Sequence, residues 1–267
     1  MVVPTFRPGI DVVATLEQIA GTARVLVVDD GSPCTVDPAL RDISNIPNVT
    51  LRRFPANVGI SRSLNLGLSE ASASGAKWLL TIDQDSRIEA DYPRIAVAEA
   101  TSAQESGVRV GALGAGHVLD VSGPINYPTF SIESEGRTFH ATHEVLLSGT
   151  LWNVHLLTEI RGFREDLGMD AVDAAACLAA RRGGYAVLLS RELTLHHQLG
   201  RAERVNFLGR TVLKTGHSSK RRRAIVRNRL RLFPSEFRQA PIHAFRTLRR
   251  AVVNQAVSSF PDTWKKG

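Results

Sequence analysis

Apolar positions in the first half of the chain fall into short runs separated by stretches of helical period. Val2-Val3-Pro4-Thr5-Phe6 reads as a strand, Asp11–Ala20 as a helix entered through Pro8 and Gly9, and Arg24-Val25-Leu26-Val27-Val28 as a second strand closed by Asp29-Asp30-Gly31-Ser32. Val49–Phe54 follows as a third strand, and the pattern turns helical from Gly59 to Ser69. Trp78-Leu79-Leu80-Thr81-Ile82 is then a fourth strand, ending in Asp83-Gln84-Asp85. Strands alternating with helices predict an α/β fold with a mostly parallel central sheet flanked by helices. Beyond it the pattern predicts a helix over Pro93–Glu105, a strand over Val108–Leu113 and a loop-rich segment from Gly116 to Gly136. A strand over Leu146–Thr150, helices over Leu151–Ile160 and Val172–Arg182, and a strand over Tyr185–Leu189 lead to His196-His197.

The fourth strand carries the most chemistry. A buried strand stopped by two carboxylates spaced i, i+2 delivers both to the C-terminal edge of its sheet, where open α/β folds bind ligands. Mg²⁺ or Mn²⁺ takes carboxylate oxygens there and keeps positions for a diphosphate.

With 267 residues and 43% hydrophobic content the chain can bury a sizeable core. No apolar run reaches the ~18 residues that span a bilayer, and the start lacks the basic region and cleavage site of a signal peptide, so a cytoplasmic protein is expected. The chain starts almost inside its first strand, which reads as a shortened beginning. Cys34 and Cys177 lack the spacing of a disulfide framework or a zinc site and are expected to be reduced packing residues. The formal charge of +7 is unevenly spread. Lys220–Arg250 holds eleven bases and one acid, a net +10 that leaves the remainder at −3. The composition shift sets a boundary between residues 1–210 and a basic helical extension over 211–267. Ile225, Val226, Leu230, Leu232 and Phe233 interleave with its bases, a pattern suited to an anionic membrane surface in preference to nucleic acid.

The Rossmann dinucleotide fingerprint is absent, since Gly111, Gly114 and Gly116 have the wrong spacing and open no helix. Instead V-V-D-D-G-S (Val27–Ser32), N-V-G-I-S-R-S-L-N-L-G-L (Asn57–Leu68) and L-L-T-I-D-Q-D-S (Leu79–Ser86) resemble the family 2 glycosyltransferases of the Rossmann-like GT-A fold. Downstream, S-G-T-L (Ser148–Leu151), G-F-R-E-D-L (Gly162–Leu167), M-D-A-V-D (Met169–Asp173) and L-H-H-Q-L-G (Leu195–Gly200) are similar to the rhamnosyltransferase branch. Order and spacing match over roughly residues 2 to 232, and Arg227-Asn228-Arg229 resembles a motif that follows the branch's catalytic domain.

The resemblance implies inverting transfer of a sugar, rhamnose from dTDP-rhamnose in this branch, from a nucleotide diphosphate donor to a saccharide or lipid-linked saccharide. By the same resemblance, Asp29 or Asp30 contacts the nucleotide, Asn57 and Gly59 let the backbone approach the nucleoside, and Arg62 reaches the diphosphate. Asp83 is a ribose or metal contact, Asp85 the direct metal ligand and His197 a late third ligand, with His196 its alternative by register. Asp173 is the implied catalytic base, with Asp170 its neighbour on the acceptor side. Trp152 is a candidate platform for a sugar ring, against a core role. The chain departs from the family at Arg7, where a polar Asn is usual, and at Ala175 and Ala179, where an acidic residue and an Arg are usual. Two rivals remain at this stage. A nucleotidyltransferase would want a Gly- and Lys-rich loop after the first strand, which Arg7-Pro8-Gly9 does not supply. The other is a non-catalytic basic membrane- or nucleic-acid-binding module on a degenerate form of the same fold.

Overall fold

The computed structural model describes residues 1–9, 11–120, 123–197, 203–207, 210–214 and 216–259. It divides into two compact units, Met1–Leu119 with Pro124–His197, and Asp120–Gly123 with Gln198–Gly267. The division at His197 falls ahead of the sequence boundary at 210.

Up to His197 the chain runs β1 (Val2–Thr5), α1 (Asp11–Ala20), β2 (Val25–Asp29), α2 (Asp37–Asn45), β3 (Val49–Arg53), α3 (Ile60–Ala73), β4 (Trp78–Thr81) and α4 (Tyr92–Glu105). It continues through β5 (Val110–Asp120), β6 (Gly123–Ile125), β7 (Thr129–Ser134), β8 (Arg137–Thr142), β9 (Thr150–Asn153), α5 (Val154–Glu159), α6 (Val172–Arg182) and β10 (Ala186–His196). The sheet order is β3-β2-β1-β4-β9-β5-β10-β8-β7. β3, β2, β1 and β4 pair in parallel, as do β5 and β10, while β9 is antiparallel to both β4 and β5. Two strands antiparallel to the same third strand run the same way, so β1–β5 and β10 all end at one edge. The expected mostly parallel sheet is present, with β9 inserted backwards. Because Thr150 of β9 pairs with Thr81 of β4, the residues just before β9, Ser148 and Gly149, lie at that same edge.

β1 and β2 are buried along their whole length, as strands covered on both faces must be. Val3, Val25, Val27 and Leu80 share a core with Val12, Leu16 and Ile19 of α1, Leu40 and Ile43 of α2, and Ala96 and Ala100 of α4. α3 packs on β1 so closely that a Cβ on Gly67 would stand 2.7 Å from Val2 Cβ.

Several elements differ from the sequence reading. The segment 116–136 is mostly strand, because β5 continues to Asp120 and β6 and β7 follow; β7 ends the sheet, is exposed at most of its positions and shows little alternation. Leu151–Ile160 is not one helix. Its first residues belong to β9, and α5 begins only after Asn153, whose side chain caps it by accepting from Leu156 N–H at 3.1 Å. A strand buried on both faces has no polar alternation to separate it from a buried helix. β10 runs on to His196, and α2 forms where no helix was expected, with Pro38 in its first turn.

The second unit holds an antiparallel hairpin of β11 (Glu203–Phe207) and β12 (Arg210–Lys214), and two helices, α7 (Ser219–Gln239) and α8 (Pro241–Ser259). Ser218 caps α7, accepting from Arg221 N–H at 3.3 Å. Among the described residues no helix is long and apolar enough to cross a membrane.

Candidate active site

β4 hands its chain to the sheet edge at Asp83, one residue after the N–H of Ile82 makes its bond to Val2 O at 3.1 Å. Gln84 locks the adjoining ends of β1 and β4 together: Phe6 N–H donates to Gln84 Oε1 at 2.9 Å, and Gln84 Nε2 donates to Phe6 O at 3.2 Å. Asp83 is half-buried and Asp85 has a side chain 52% exposed. His197 comes to them from the end of β10. Arg87 and His196 exchange backbone bonds of 2.8 and 3.0 Å, and His197 N–H reaches Leu119 O at 3.0 Å. The imidazole is 10% exposed, with Nδ1 3.9 Å from Asp85 Oδ1. One ligand atom from each of Asp83, Asp85 and His197 lies within 4.8 Å of the others. The exposed His196 is not part of this cluster.

The donor set fits a divalent cation. At metal–oxygen distances of about 2.1 Å, octahedral ligands lie about 3 Å apart when adjacent and about 4 Å apart when opposite. Two carboxylates and an imidazole within 4.8 Å of one another are close to that spacing and would hold Mg²⁺ or Mn²⁺ after a small inward adjustment, and the imidazole adds a ligand that suits the transition metal. Two nearly buried serines support the cluster. Asp83 N–H donates to Ser148 Oγ at 3.0 Å, Ser148 Oγ donates to Ser86 Oγ at 2.7 Å, and Ser86 Oγ is 2.7 Å from His197 Nδ1. With Nδ1 held by Ser86, Nε2 would be the ligating nitrogen; such partners orient a ligating imidazole, and losing one costs about 10–100-fold in metal affinity. Ser86→Ala is therefore expected to weaken Mn²⁺ binding by about that factor while thermal unfolding shows a native fold. Unchanged calorimetric affinity would remove Ser86 from the support of His197. Both serines stand in the sequence motifs, but only the fold shows them touching.

Of the residues expected at the nucleotide, Asp29 is fully buried and engaged within the fold. Its carboxylate accepts from Ser32 Oγ, from Ser32 N–H at 3.1 Å, and pairs with Arg53 Nε at 3.1 Å. A hydrogen bond to Asp37 holds the Arg53 guanidinium above its usual pKa. Asp30 is 6% exposed and binds the loop before α3, accepting from Val58 N–H at 2.7 Å and Gly59 N–H at 3.0 Å. Both carboxylates thus tie together the loops on which the nucleotide contact was expected. Asn57 is exposed, and Gly59, with φ of 94°, has nothing within 4 Å of where a Cβ would point. Arg62 is exposed and pairs with Glu165 at 3.2 Å. Asn65, one turn on, clamps the Gly162–Leu167 motif: Phe163 N–H donates to its Oδ1 at 2.7 Å, and its Nδ2 donates to Phe163 O at 3.0 Å.

Trp152 is corrected. It is 0% exposed, donates its indole N–H to Thr81 Oγ1 at 3.0 Å and packs edge-on against Phe163, which leaves no ring face for a sugar. Asp170 and Asp173 stand at the N-terminal end of α6, outside the three-ligand cluster. Asp173 is half-buried in the first turn, and its Oδ1 accepts from Ala174 N–H at 2.8 Å. α6 packs on β10 and joins it through a short turn, so its N-terminus lies toward the edge that holds the acidic strand end. Ala175 and Ala179 fill the positions after it, the first buried and the second half-buried.

A mostly parallel sheet with an acidic strand end and a late histidine at its C-terminal edge is the GT-A fold of glycosyltransferases. Within it, residues 2–120 match the family described as Glycosyl transferase family 2, so the resemblance read from the motifs holds for this part of the chain. The chain is 26% identical over 186 residues to the dTDP-rhamnosyl transferase RfbF of Shigella flexneri, an alignment that spans 66% of this chain and 60% of that protein. Among solved structures it is similar to the mannosyltransferase PcManGT from Pyrobaculum calidifontis in complex with GDP-Man and Mn²⁺. That match has 16% identity and a TM-score of 0.60, over 97% of this chain and 75% of that one. S. aureus TarS 1-349 in complex with UDP-GlcNAc matches at 16% identity and a TM-score of 0.59, over 98% and 73% of the two chains.

Proposed function

We propose that this chain is an inverting, metal-dependent glycosyltransferase that takes a sugar from a nucleotide diphosphate donor and passes it to a saccharide or lipid-linked saccharide. The observation that carries this is the convergence of Asp83, Asp85 and His197 at the strand-end edge. A bound divalent cation would neutralise charge on the leaving diphosphate. Asp85 and His197 would hold it, and Asp83 would serve the cation or the donor ribose. Asn57 and Gly59 border the nucleoside, above the loops that Asp29 and Asp30 fasten, and Arg62 is exposed for the diphosphate once it leaves Glu165. Asp173 accepts the acceptor hydroxyl's proton, with Asp170 beside it, because inversion needs a base on the face opposite the leaving group. Rhamnose from dTDP-rhamnose is the proposed donor, supported by the similarity to RfbF and by the downstream motifs. The intact ligand set favours an enzyme over a non-catalytic module.

Calorimetric titration with dTDP, UDP and GDP, each with and without Mn²⁺, tests this. One nucleotide should bind only with the metal, dTDP for a rhamnosyltransferase, and Asp85→Ala should abolish the metal-dependent part. If no nucleotide binds with metal present, the glycosyltransferase reading fails; if UDP or GDP is preferred, the rhamnosyl assignment fails alone.

A further inference from the structure

The helical hairpin of the second unit carries an apolar surface that the proposed chemistry does not use. Leu232 and Glu236 of α7 and His243, Ala244, Ala251 and Val257 of α8 are buried. The only acid in Lys220–Arg250 is among them: Glu236 is 1% exposed, with its Oε1 3.5 Å from His243 Nε2. On the outside, Phe233, Phe237 and Phe245 join the two helices near their turn, with ring centroids 5.3 to 5.7 Å apart. Phe245 is 59% exposed and Ile242, in the first turn of α8, 77% exposed. Leu230, Phe237 and Val252 are also exposed. At 100° per residue, Leu230, Phe233 and Phe237 share one face of α7, and Ile242, Phe245 and Val252 share one face of α8. Exposed arginines stand among them, Arg227, Arg231 and Arg238 on α7 and Arg246 and Arg249 on α8.

We propose that this hairpin face is a docking surface for an anionic lipid bilayer, with Phe237, Ile242 and Phe245 entering the headgroup–acyl boundary and the arginines binding lipid phosphates. Helices that lie in a membrane interface combine these features, apolar side chains on one face with bases at its margins. Exposed apolar patches of this kind mark interaction sites. Charge selects among the partners. A second copy would bring one face with a net +10 in its helices against another, which like-charge repulsion opposes. Nucleic acid would satisfy the arginines but gives exposed Ile242, Leu230 and Val252 nothing apolar to enter. An anionic bilayer supplies both. The inference does not depend on the glycosyltransferase reading.

Co-sedimentation of the full chain tests it, using phosphatidylcholine vesicles with and without phosphatidylglycerol at low and high salt. The protein should pellet with the anionic vesicles, and high salt should release much of it, since exposed charges act over a Debye length of about 10 Å at 0.1 M. The triple variant Phe237→Ser/Ile242→Ser/Phe245→Ser and the pair Arg246→Glu/Arg249→Glu should each weaken binding at least about tenfold, because a base near an anionic surface is worth roughly fivefold. Circular dichroism and an unchanged thermal unfolding transition would show that the variants fold. Absence of wild-type binding to anionic vesicles at low salt overturns the proposal. So does binding that the folded triple variant retains, or a dimer in light scattering that only the triple variant dissolves. Stronger binding to a nucleic-acid oligomer than to vesicles, unaffected by the triple variant, overturns it as well.

Discussion

Asp173→Asn is expected to lower kcat by about 10²–10⁴-fold, the usual contribution of a positioned general base. The amide keeps the shape of the side chain, including an oxygen for the Ala174 N–H, so α6 should start as before. What it would lose, on the proposed mechanism, is the capacity to take a proton from the acceptor hydroxyl. Metal-dependent nucleotide binding should be unchanged, because Asp173 lies outside the Asp83–Asp85–His197 cluster. That split separates catalysis from structure: steady-state kinetics should show a fall in kcat with calorimetric donor affinity intact. Equal losses in both would make Asp173 a structural residue, and a normal kcat would move the base to Asp170.

Gly31→Ala is expected to cost the first unit about 2–5 kcal/mol and to remove nucleotide binding. Gly31 has φ of +70°, where a side chain costs roughly 1–2 kcal/mol. Its Cβ would stand 2.2 Å from the Ala56 carbonyl carbon and 2.5 Å from Asn57 N, both backbone atoms that cannot rotate away. Overpacking of this kind adds about 1–3 kcal/mol. To admit the methyl, the loop after β2 must part from the loop before α3, against the bonds of Asp30 to Val58 and Gly59. A fall in Tm of roughly 5–15 °C by calorimetry is the corresponding measurement. An unchanged Tm with normal donor binding would show that these loops tolerate separation and are not the rigid wall of the proposed nucleotide site.

Much of the parallel part of the sheet was legible because its strands are buried and its helices amphipathic. α1 and α6 start and stop where their periodicity and flanking residues say. The acidic strand end and the late histidine were legible as motifs. β9 was not, since a short strand buried on both faces has no period, and four of its residues were divided between a strand and a helix that do not exist in that form. β7 was missed for the opposite reason, exposure at most of its positions. Trp152 was ambiguous because an aromatic beside a Ser-Gly turn can face either way; its place in β9 between β4 and β5 puts it inside.

By itself, then, the sequence determined the alternation of elements, the carboxylates at the end of β4, and the concentration of positive charge after residue 220, all properties of local order along the chain. Tertiary structure decided which distant groups meet. The reversal of β9 carries Ser148 to Asp83, the Arg87–His196 bridge delivers His197 rather than His196, and Glu236 of α7 is buried while Phe245 and Ile242 of α8 stay outside. Contacts of this kind depend on strand order, direction and helix pairing, which are set by the packing of the whole core and leave no mark at any single position.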